Sequence, residues 1–278
     1  MDFERAAAVY ERDIWPLWSG PFAQLLLREV PAHLDQPVLE VFCNAGNLSV
    51  ALLDRLVGKA RLIAIDPVQD LLDIAREKTP EALRQHRIFF HHSELSERFR
   101  IPDDLFGLAC CNLGLFYVDP PDTMLEEIWR TLQPGGLALL TLPLRGSLID
   151  LFGPTRTFLE QIGEHEALRQ IDVHEHLYRL PEQAMYLLHQ IGFERVNLRR
   201  QSFRLFFENA RAMFAHTFIQ RGFLSLWLPS LQHHNRDRVV QELTHLFEAM
   251  YTHSPIELVV RAGCLLATKP SIDESDLF

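Results

Sequence analysis

The sequence has few cysteines, and their arrangement is unlike that of a metal site or a disulfide framework. Four occur among 278 residues, namely Cys43, Cys110, Cys111 and Cys264. No two of them form a Cys-x-x-Cys pair, which is the spacing on which zinc sites rely. We therefore expect four buried free thiols in a reducing cytoplasm, and no metal site.

Long apolar runs are also missing from the sequence. No stretch of about 18 uncharged apolar residues occurs, and a membrane-spanning helix needs that length. The first five residues lack the basic start and the apolar stretch of a secretory signal. We expect a cytoplasmic protein without a membrane span.

Basic residues are outnumbered by acidic ones, at 27 Lys and Arg against 37 Asp and Glu, and the formal net charge is −10 at pH 7. Surfaces that bind nucleic acid neutralise phosphates with Lys and Arg, so we expect no nucleic-acid partner. Apolar residues make up 47% of the chain, which is enough for a large core.

Short apolar runs alternate with amphipathic runs over roughly half of the chain. The alternation predicts strands at 38–42, 61–66, 87–91, 105–111 and 137–142, and helices at 48–56, 67–78 and 122–132. Strands that alternate with helices pair in parallel through right-handed crossovers. Two later runs, 195–207 and 256–268, predict further strands. We predict an α/β fold, Rossmann-like and doubly wound, with a mostly parallel seven-stranded sheet and helical cap insertions.

Helical segments flank this core on both sides. Residues 3–30 are predicted to form a helix that breaks at Pro16 and restarts near Pro21, and its aromatic side chains either cover a pocket or pack on the core. The predicted organisation is an N-terminal helical lid at 1–30, a Rossmann-like cofactor-binding core at 31–145, helical insertions with the last two strands at 146–270, and a frayed acidic tail at 271–278.

Two acidic residues and a glycine-containing turn stand where the first two predicted strands end. Glu40 precedes a turn that contains Gly46, and Asp66 ends the second strand. In an open α/β sheet, ligands bind beyond the carboxyl ends of the strands, at the topological switch point. An acid at the end of the second strand can bind the two hydroxyls of a ribose.

These residues belong to motifs that resemble those of a known family, the class I S-adenosylmethionine-dependent methyltransferases. The first motif is Val38-Leu39-Glu40-Val41-Phe42-Cys43-Asn44-Ala45-Gly46-Asn47, and the second is Ala64-Ile65-Asp66-Pro67. Residues 112–118 and 128–136 resemble later motifs of the small-molecule branch. The layout is also similar to that of malonyl-carrier-protein methyltransferases, through the aromatic N-terminal helix and residues 145–148 and 255–260.

The resemblance implies S-adenosylmethionine as the cofactor. Its methionine end would lie on the turn at 42–46, its ribose on Asp66 and its adenine near 93–95, with Asn112 facing the methyl group. The cofactor-binding candidates are Glu40, Phe42, Asn44, Gly46, Asp66, Pro67, Ser93, Glu94 and Asn112. The substrate-binding candidates are Tyr10, Trp15, Trp18 and Tyr117. No catalytic residue is assigned, because the sulfonium supplies the reactivity and the protein mainly positions the acceptor.

The first motif departs from the family pattern, which has three glycines where this chain keeps only Gly46. Asn44 replaces the second glycine; it tolerates a positive φ, but its side chain would occupy space that glycine leaves empty. Ser93 stands where an acid usually contacts adenine, and Gly107 replaces a common Asp.

Two functions are compatible with this pattern. One is a methyltransferase that acts on a small molecule or on a carrier-bound acyl group, and it needs an open slot beside residues 42–46. The other is a pseudoenzyme that serves as a scaffold or partner protein, in which Phe42 or Asn44 fills that slot. A nicotinamide-linked dehydrogenase ranks third, because the phosphate-binding Gly-x-Gly-x-x-Gly pattern is incomplete. A homodimer or a protein partner is left open.

The strongly apolar segment 218–231 also allows several interpretations. A helix packed on its own domain is the default prediction, and an acyl-pocket lid, a dimer surface and a membrane-touching element are the alternatives.

Overall fold

A single seven-stranded sheet organises the computed structural model, which describes residues 8–252 and 254–271. The first seven residues of the predicted lid, and all of the predicted frayed tail except Ser271, lie outside that range. The strands are β1 (Val38–Val41), β2 (Leu62–Asp66), β3 (Ile88–His92), β4 (Phe106–Asn112), β5 (Leu132–Pro143), β6 (Glu194–Phe207) and β7 (Ile256–Thr268).

The order of the strands is β3-β2-β1-β4-β5-β7-β6. The first five are parallel, and β7 runs antiparallel to both β5 and β6. The predicted fold class is confirmed. In this order β2 and β3 lie on one side of β1, and β4 and β5 lie on the other. The carboxyl ends of β1 and β4 therefore form the topological switch point at which such sheets bind ligands.

Helices cover both faces of the sheet. Before β4 they are α1 (Tyr10–Ser19), α2 (Gly20–Glu29), α3 (Asn47–Leu53), α4 (Gln69–Lys78) and α5 (Pro80–Arg84). Between β4 and β6 they are α6 (Gly114–Tyr117), α7 (Asp122–Thr131), α8 (Ile149–Gln161), α9 (His165–Leu177) and α10 (Pro181–Ile191). Between β6 and β7 they are α11 (Ala210–Ala215), α12 (Thr217–Ile219), α13 (Ser225–Trp227) and α14 (Arg236–Met250). None of the helices in the described ranges is long and apolar enough to cross a membrane.

Two hydrophobic clusters lie on opposite sides of the sheet. The larger one joins side chains of α1 to α4, of α8 and α9 and of the segment between β6 and β7. The smaller one joins α6, α7 and α10 to the other face. The four cysteines are buried and free, as the sequence predicts, and they pack as small apolar residues.

The helix break predicted at Pro16 is wrong. The chain stays helical through Pro16, which lies inside the π-helix α1. The N–H of Gly20 donates to the carbonyl of Trp15, five residues earlier. A Cβ at Gly20 would stand 2.7 Å from that carbonyl oxygen, so a glycine at this point lets α2 continue the helix.

The predicted start of the fifth strand is also wrong. The turn signal Pro134-Gly135-Gly136 lies inside β5, where the register with β4 shifts between the partners of Phe106 and Leu108. The N–H of Gly135 donates to the carbonyl of Lys269, and the N–H of Lys269 donates to the carbonyl of Gly136, both at 3.0 Å. Pairing with the end of β7 therefore extends β5 backwards through an irregular segment.

The apolar segment 218–231 packs mainly on its own domain, as the default prediction states. Its buried side chains are Phe218, Ile219, Phe223, Leu224 and Trp227, whereas Leu226 is exposed. Just beyond it, the buried Glu164 accepts hydrogen bonds from the backbone N–H groups of Gln232 and His233. This carboxylate fixes the end of the segment to the start of α9.

Gly46 provides a test of how tightly the first turn packs. It has φ +75°, and a Cβ there would stand 2.7 Å from the Cβ of Ala75 on α4. Gly58 has φ +62° with nothing within 4 Å, so Gly58→Ala measures backbone strain alone, about 1 kcal/mol. We expect Gly46→Ala to lower the free energy of unfolding by a further 1–3 kcal/mol or so, because it adds a steric clash. Equal losses in urea denaturation would show that the contact with Ala75 is unimportant.

Candidate cofactor site

The turn after β1 adopts left-handed backbone conformations at alternate residues. Phe42, Asn44 and Gly46 have φ of 62°, 51° and 75°. The side-chain amide of Asn44 donates to the carbonyl of Phe42 at 2.9 Å, a local bond that compensates for the left-handed conformation. The Asn44 side chain therefore folds back onto its own turn.

Asp66 joins this turn to the one that follows β2. Its Oδ2 accepts from the N–H of Asn44 at 2.8 Å, and its Oδ1 accepts from the N–H of Val68 at 2.9 Å. Burial raises the pKa of Asp66 to about 6, while the two backbone N–H groups act in the opposite direction. A carboxylate can accept about four hydrogen bonds, so the two backbone donors use about half of its acceptor capacity. Pro67 lies between Asp66 and Val68 and shapes this second turn.

Glu40 is the second buried acid of the site. It lies in β1 and is 1% exposed, and the hydroxyl of Ser49 on α3 donates to its Oε2 at 2.5 Å. Burial raises the pKa of Glu40 to about 8, and the nearby Asp66 adds to the increase. Glu40 is therefore protonated at neutral pH, and it ties β1 to α3 as a neutral group.

A cavity of about 370 Å³ opens at the carboxyl ends of β2 and β3. Its lining includes Ile65, the neighbour of Asp66, together with Ser93 and Glu94 from the loop after β3. The N–H of Ser93 donates to the backbone carbonyl of Asp66 at 3.1 Å. The predicted adenine-contacting loop therefore lines a cavity beside the predicted ribose-binding residue. His91 and His92 line the same cavity.

Helix α1 lies across the first turn and is held there by polar contacts. Oε1 of Glu11 accepts hydrogen bonds from Nδ2 of Asn47 at 2.9 Å and from Nζ of Lys78 at 2.7 Å. Lys78 also donates to Oδ1 of Asn47 at 2.5 Å. We call Glu11, Asn47 and Lys78 the latch, because they connect α1 to the first residue of α3 and to the last residue of α4. Sequence reasoning missed it, since nothing in the sequence links Glu11 to residues so distant along the chain.

Asn112, predicted to face the methyl group, anchors α1 from below. Its Nδ2 donates to the carbonyl of Ser19 at 3.1 Å, and its Oδ1 accepts from the hydroxyl of Thr141 at 2.7 Å. Both polar ends of the side chain are thus engaged within the protein. Gly107, noted as a departure from the family pattern, lies at the opposite end of β4 and is remote from the cofactor edge.

Aromatic rings gather above the carboxyl ends of β1 and β4. The ring of Tyr117 lies 5.6 Å from that of Phe42 and 5.0 Å from that of Phe116. Phe116 also contacts Trp18 at 6.0 Å and Tyr178 at 5.0 Å. Sequence reasoning missed Phe116 and Tyr178, because only the fold brings α6 and the end of α9 together.

The four predicted substrate-binding residues have different surroundings. Trp18 is buried, and its Nε1 has no hydrogen-bond partner among the residues that the structure describes. Tyr117 is 51% exposed. Tyr10 lies close enough to Asp66 for that charge to raise its pKa, in addition to the larger effect of burial. Trp15 packs back against Gly20, where a Cβ would stand 3.5 Å from Nε1 of the Trp15 ring.

Comparisons with known proteins agree with this geometry. Residues 38–136 match the family model described as a methyltransferase domain. Residues 38–136 are therefore similar to a methyltransferase domain. The match confirms the resemblance that the sequence motifs indicate, and it covers the segment from β1 into β5, which includes the two turns and the cavity.

Two similar proteins are named as methyltransferases of small molecules. A demethylmenaquinone methyltransferase of Deinococcus radiodurans is 32% identical over 126 residues, which are 45% of this chain and 50% of that protein. The chain thus matches about half the length of this relative. Phosphoethanolamine N-methyltransferase 2 of Haemonchus contortus, solved with phosphomonomethylethanolamine and S-adenosylhomocysteine, has a TM-score of 0.56 at 14% identity, covering 96% of this chain and 58% of that one.

A third similar structure is named for another reaction. The [4+2]-cyclase SpnF has a TM-score of 0.53 at 19% identity, over 90% of this chain and 80% of that one. The shared methyltransferase-like fold therefore does not fix the reaction, which depends on the residues of the site.

The raised pKa of Glu40 gives the protein a defined dependence of stability on pH. The folded protein retains a proton on Glu40 that the unfolded chain releases above pH 4.5, so this residue lowers stability as the pH rises towards about 8. We expect Glu40→Gln to become progressively more stable than the wild type over that window, because the amide cannot ionise. Urea denaturation at a series of pH values measures the difference, and Glu77→Gln, at an exposed position of α4, is the control. A constant difference across the window would contradict a buried neutral Glu40.

Proposed function

We propose that the protein transfers a methyl group from S-adenosylmethionine to a small molecule. The observation that carries the proposal is the position of Asp66. Its buried carboxylate joins the turn after β1 to the turn after β2, and its neighbours Ile65 and Ser93 line a cavity of about 370 Å³.

In this proposal, each part of the cofactor would lie against residues of this edge. Asp66 would accept hydrogen bonds from the ribose hydroxyls, and the cavity beside Ser93 and Glu94 would hold the adenine. The backbone of the turn at 42–46 would lie against the methionine end, since the Asn44 amide is bonded to its own turn. When bound, S-adenosylmethionine supplies an electrophilic methyl group on a sulfonium.

The remaining chemistry would be positioning and exclusion of water. Helix α1 covers the cofactor turn and would keep solvent from the sulfonium, which favours methyl transfer over hydrolysis. The ring of Tyr117, which is 51% exposed, would provide flat apolar contact area for an acceptor. The names of the relatives suggest a quinone-like acceptor, and a carrier-bound acyl group stays an alternative prediction.

One observation favours the pseudoenzyme hypothesis. Asp66 is fully buried, with both oxygens bonded to backbone N–H groups and Tyr10 nearby. A ribose can reach this carboxylate only if the residues that cover it move. In a scaffold protein that movement would be unnecessary, and the two buried carboxyl groups would act only as ties between loops.

Calorimetric titration with S-adenosylmethionine and S-adenosylhomocysteine separates the two functions. We expect the wild type to bind both, and Asp66→Ala to weaken binding at least about tenfold, because it removes charge-assisted hydrogen bonds. Asp73→Ala, at an exposed carboxylate of α4, is the matched control and should bind like the wild type. No binding by a folded wild type at millimolar ligand would overturn the methyltransferase proposal and leave the scaffold hypothesis.

The latch gives a second prediction about access to this site. Glu11→Gln removes the charge that both Asn47 and Lys78 contact, so we expect hydrogen exchange in α1 to become faster while α2 and the sheet are unchanged. Glu29→Gln is the control. Glu29 lies on the neighbouring helix α2 and forms an ion pair with Arg199 at 3.5 Å. Unaltered exchange in α1 would mean that apolar packing alone holds the helix in place.

A further inference from the structure

A second cavity, of about 830 Å³, lies beside the chain that follows β5. It is lined on one side by residues of β6 and β7. The remaining lining residues come from the chain after β5 and from the start of α10. Three arginines line it, namely Arg145, Arg200 and Arg261. We call this cavity the arginine groove. It shares no lining residue with the cavity beside Asp66.

The register of the two strands brings polar groups to this side of the cavity. Ser202 is directly opposite Arg261 in the antiparallel pair, and Arg200 is two residues from Ser202 on β6. Residues two apart on a strand, and residues opposite each other on paired strands, share a face. Arg200, Ser202 and Arg261 therefore project from the same side of the sheet.

The arginines of the groove lack acidic partners, unlike their neighbours. Arg199 pairs with Glu29 at 3.5 Å, and Arg204 pairs with Glu257 at 3.2 Å. Among the described residues, neither Arg200 nor Arg261 makes a side-chain hydrogen bond or an ion pair, and Arg145 uses only its Nε, which donates to the carbonyl of Tyr178 at 3.2 Å. A protein with a net charge of −10 therefore concentrates unpaired positive charge in one concave site.

The guanidinium of Arg261 lies over the backbone of Gly146. A Cβ at Gly146 would lie 3.3 Å from Cζ and Nη1 of Arg261 and 3.4 Å from its Nε, so the flat side chain rests on the glycine. The main chain of Arg261 is also fixed, because its N–H donates to the hydroxyl of Ser147 at 2.9 Å and its carbonyl accepts from the N–H of Leu144 at 2.7 Å. This guanidinium is positioned while its donors stay free.

We propose that the arginine groove binds a ligand that carries two or more phosphate or carboxylate groups. Guanidinium groups bind both kinds of anion through paired N–H donors, and three arginines exceed the single acid of the lining, Glu182. A volume of about 830 Å³ is larger than one oxyanion needs, which favours a ligand with several anionic groups. The proposal does not depend on methyl transfer, because it concerns residues outside the cofactor site.

Calorimetric titrations of the full chain at low salt, with pyrophosphate and with tricarballylate, test the proposal. We expect the wild type to bind at least one of them, and the double variant Arg200→Gln with Arg261→Gln to bind it at least about tenfold more weakly, since two charge-assisted contacts are lost. Arg204→Gln, four residues along β6 and already paired with Glu257, should bind like the wild type. A preference for pyrophosphate or for tricarballylate identifies the anionic group.

Two results would overturn the proposal. One is the absence of binding of either anion by the wild type at millimolar concentration. The other is unchanged affinity in the double variant, with thermal melts confirming that it is folded. Neither outcome bears on S-adenosylmethionine binding, which the Asp66 titration measures separately.

Discussion

The carboxylate of Asp66 is the contact on which the arrangement of the site depends. It accepts one backbone hydrogen bond from the turn after β1 and one from the turn after β2, so it fixes the two loops that form the switch point. The loop after β3 is added through the backbone carbonyl of the same residue, which accepts from Ser93. One residue thus connects three consecutive strand ends, and the cavity beside β3 has its position because of that connection.

The two buried acids show how strongly this edge is shielded from water. Burial raises the pKa of Glu40 to about 8 and that of Asp66 to about 6, and the charge of Asp66 adds to the increase at Glu40. Glu40 is stable there as a neutral group bonded to Ser49, which leaves Asp66 as the carboxylate that titrates at the lower pH. A dry site of this kind strengthens hydrogen bonds to any bound ribose and also raises the cost of leaving the carboxylate unpaired.

Helix α1 closes the site by polar contacts at its beginning and aromatic contacts at its end. Glu11 bonds to α3 and α4 through the latch, whereas Trp18 packs between Phe116 and Phe218, at 6.0 Å and 4.9 Å. A charged contact is weakened by water and salt, while a buried ring is not. The beginning of α1 is therefore the end that can separate from the cofactor turn while the end near α2 stays packed.

The sequence by itself determined the alternation of strands and helices, the two acids at the strand ends and the methyltransferase motifs, because each depends on residues that are close along the chain. It also determined the burial of the cysteines, which follows from their apolar surroundings. Two features were decided by the folded structure. The chain stays helical through Pro16, and pairing beside the end of β7 extends β5 through two glycines that locally are typical of a turn. The bonding of Asp66 to two loops, the latch and the arginine groove needed the fold as well, because each joins residues from separate elements whose distance in space no local pattern encodes.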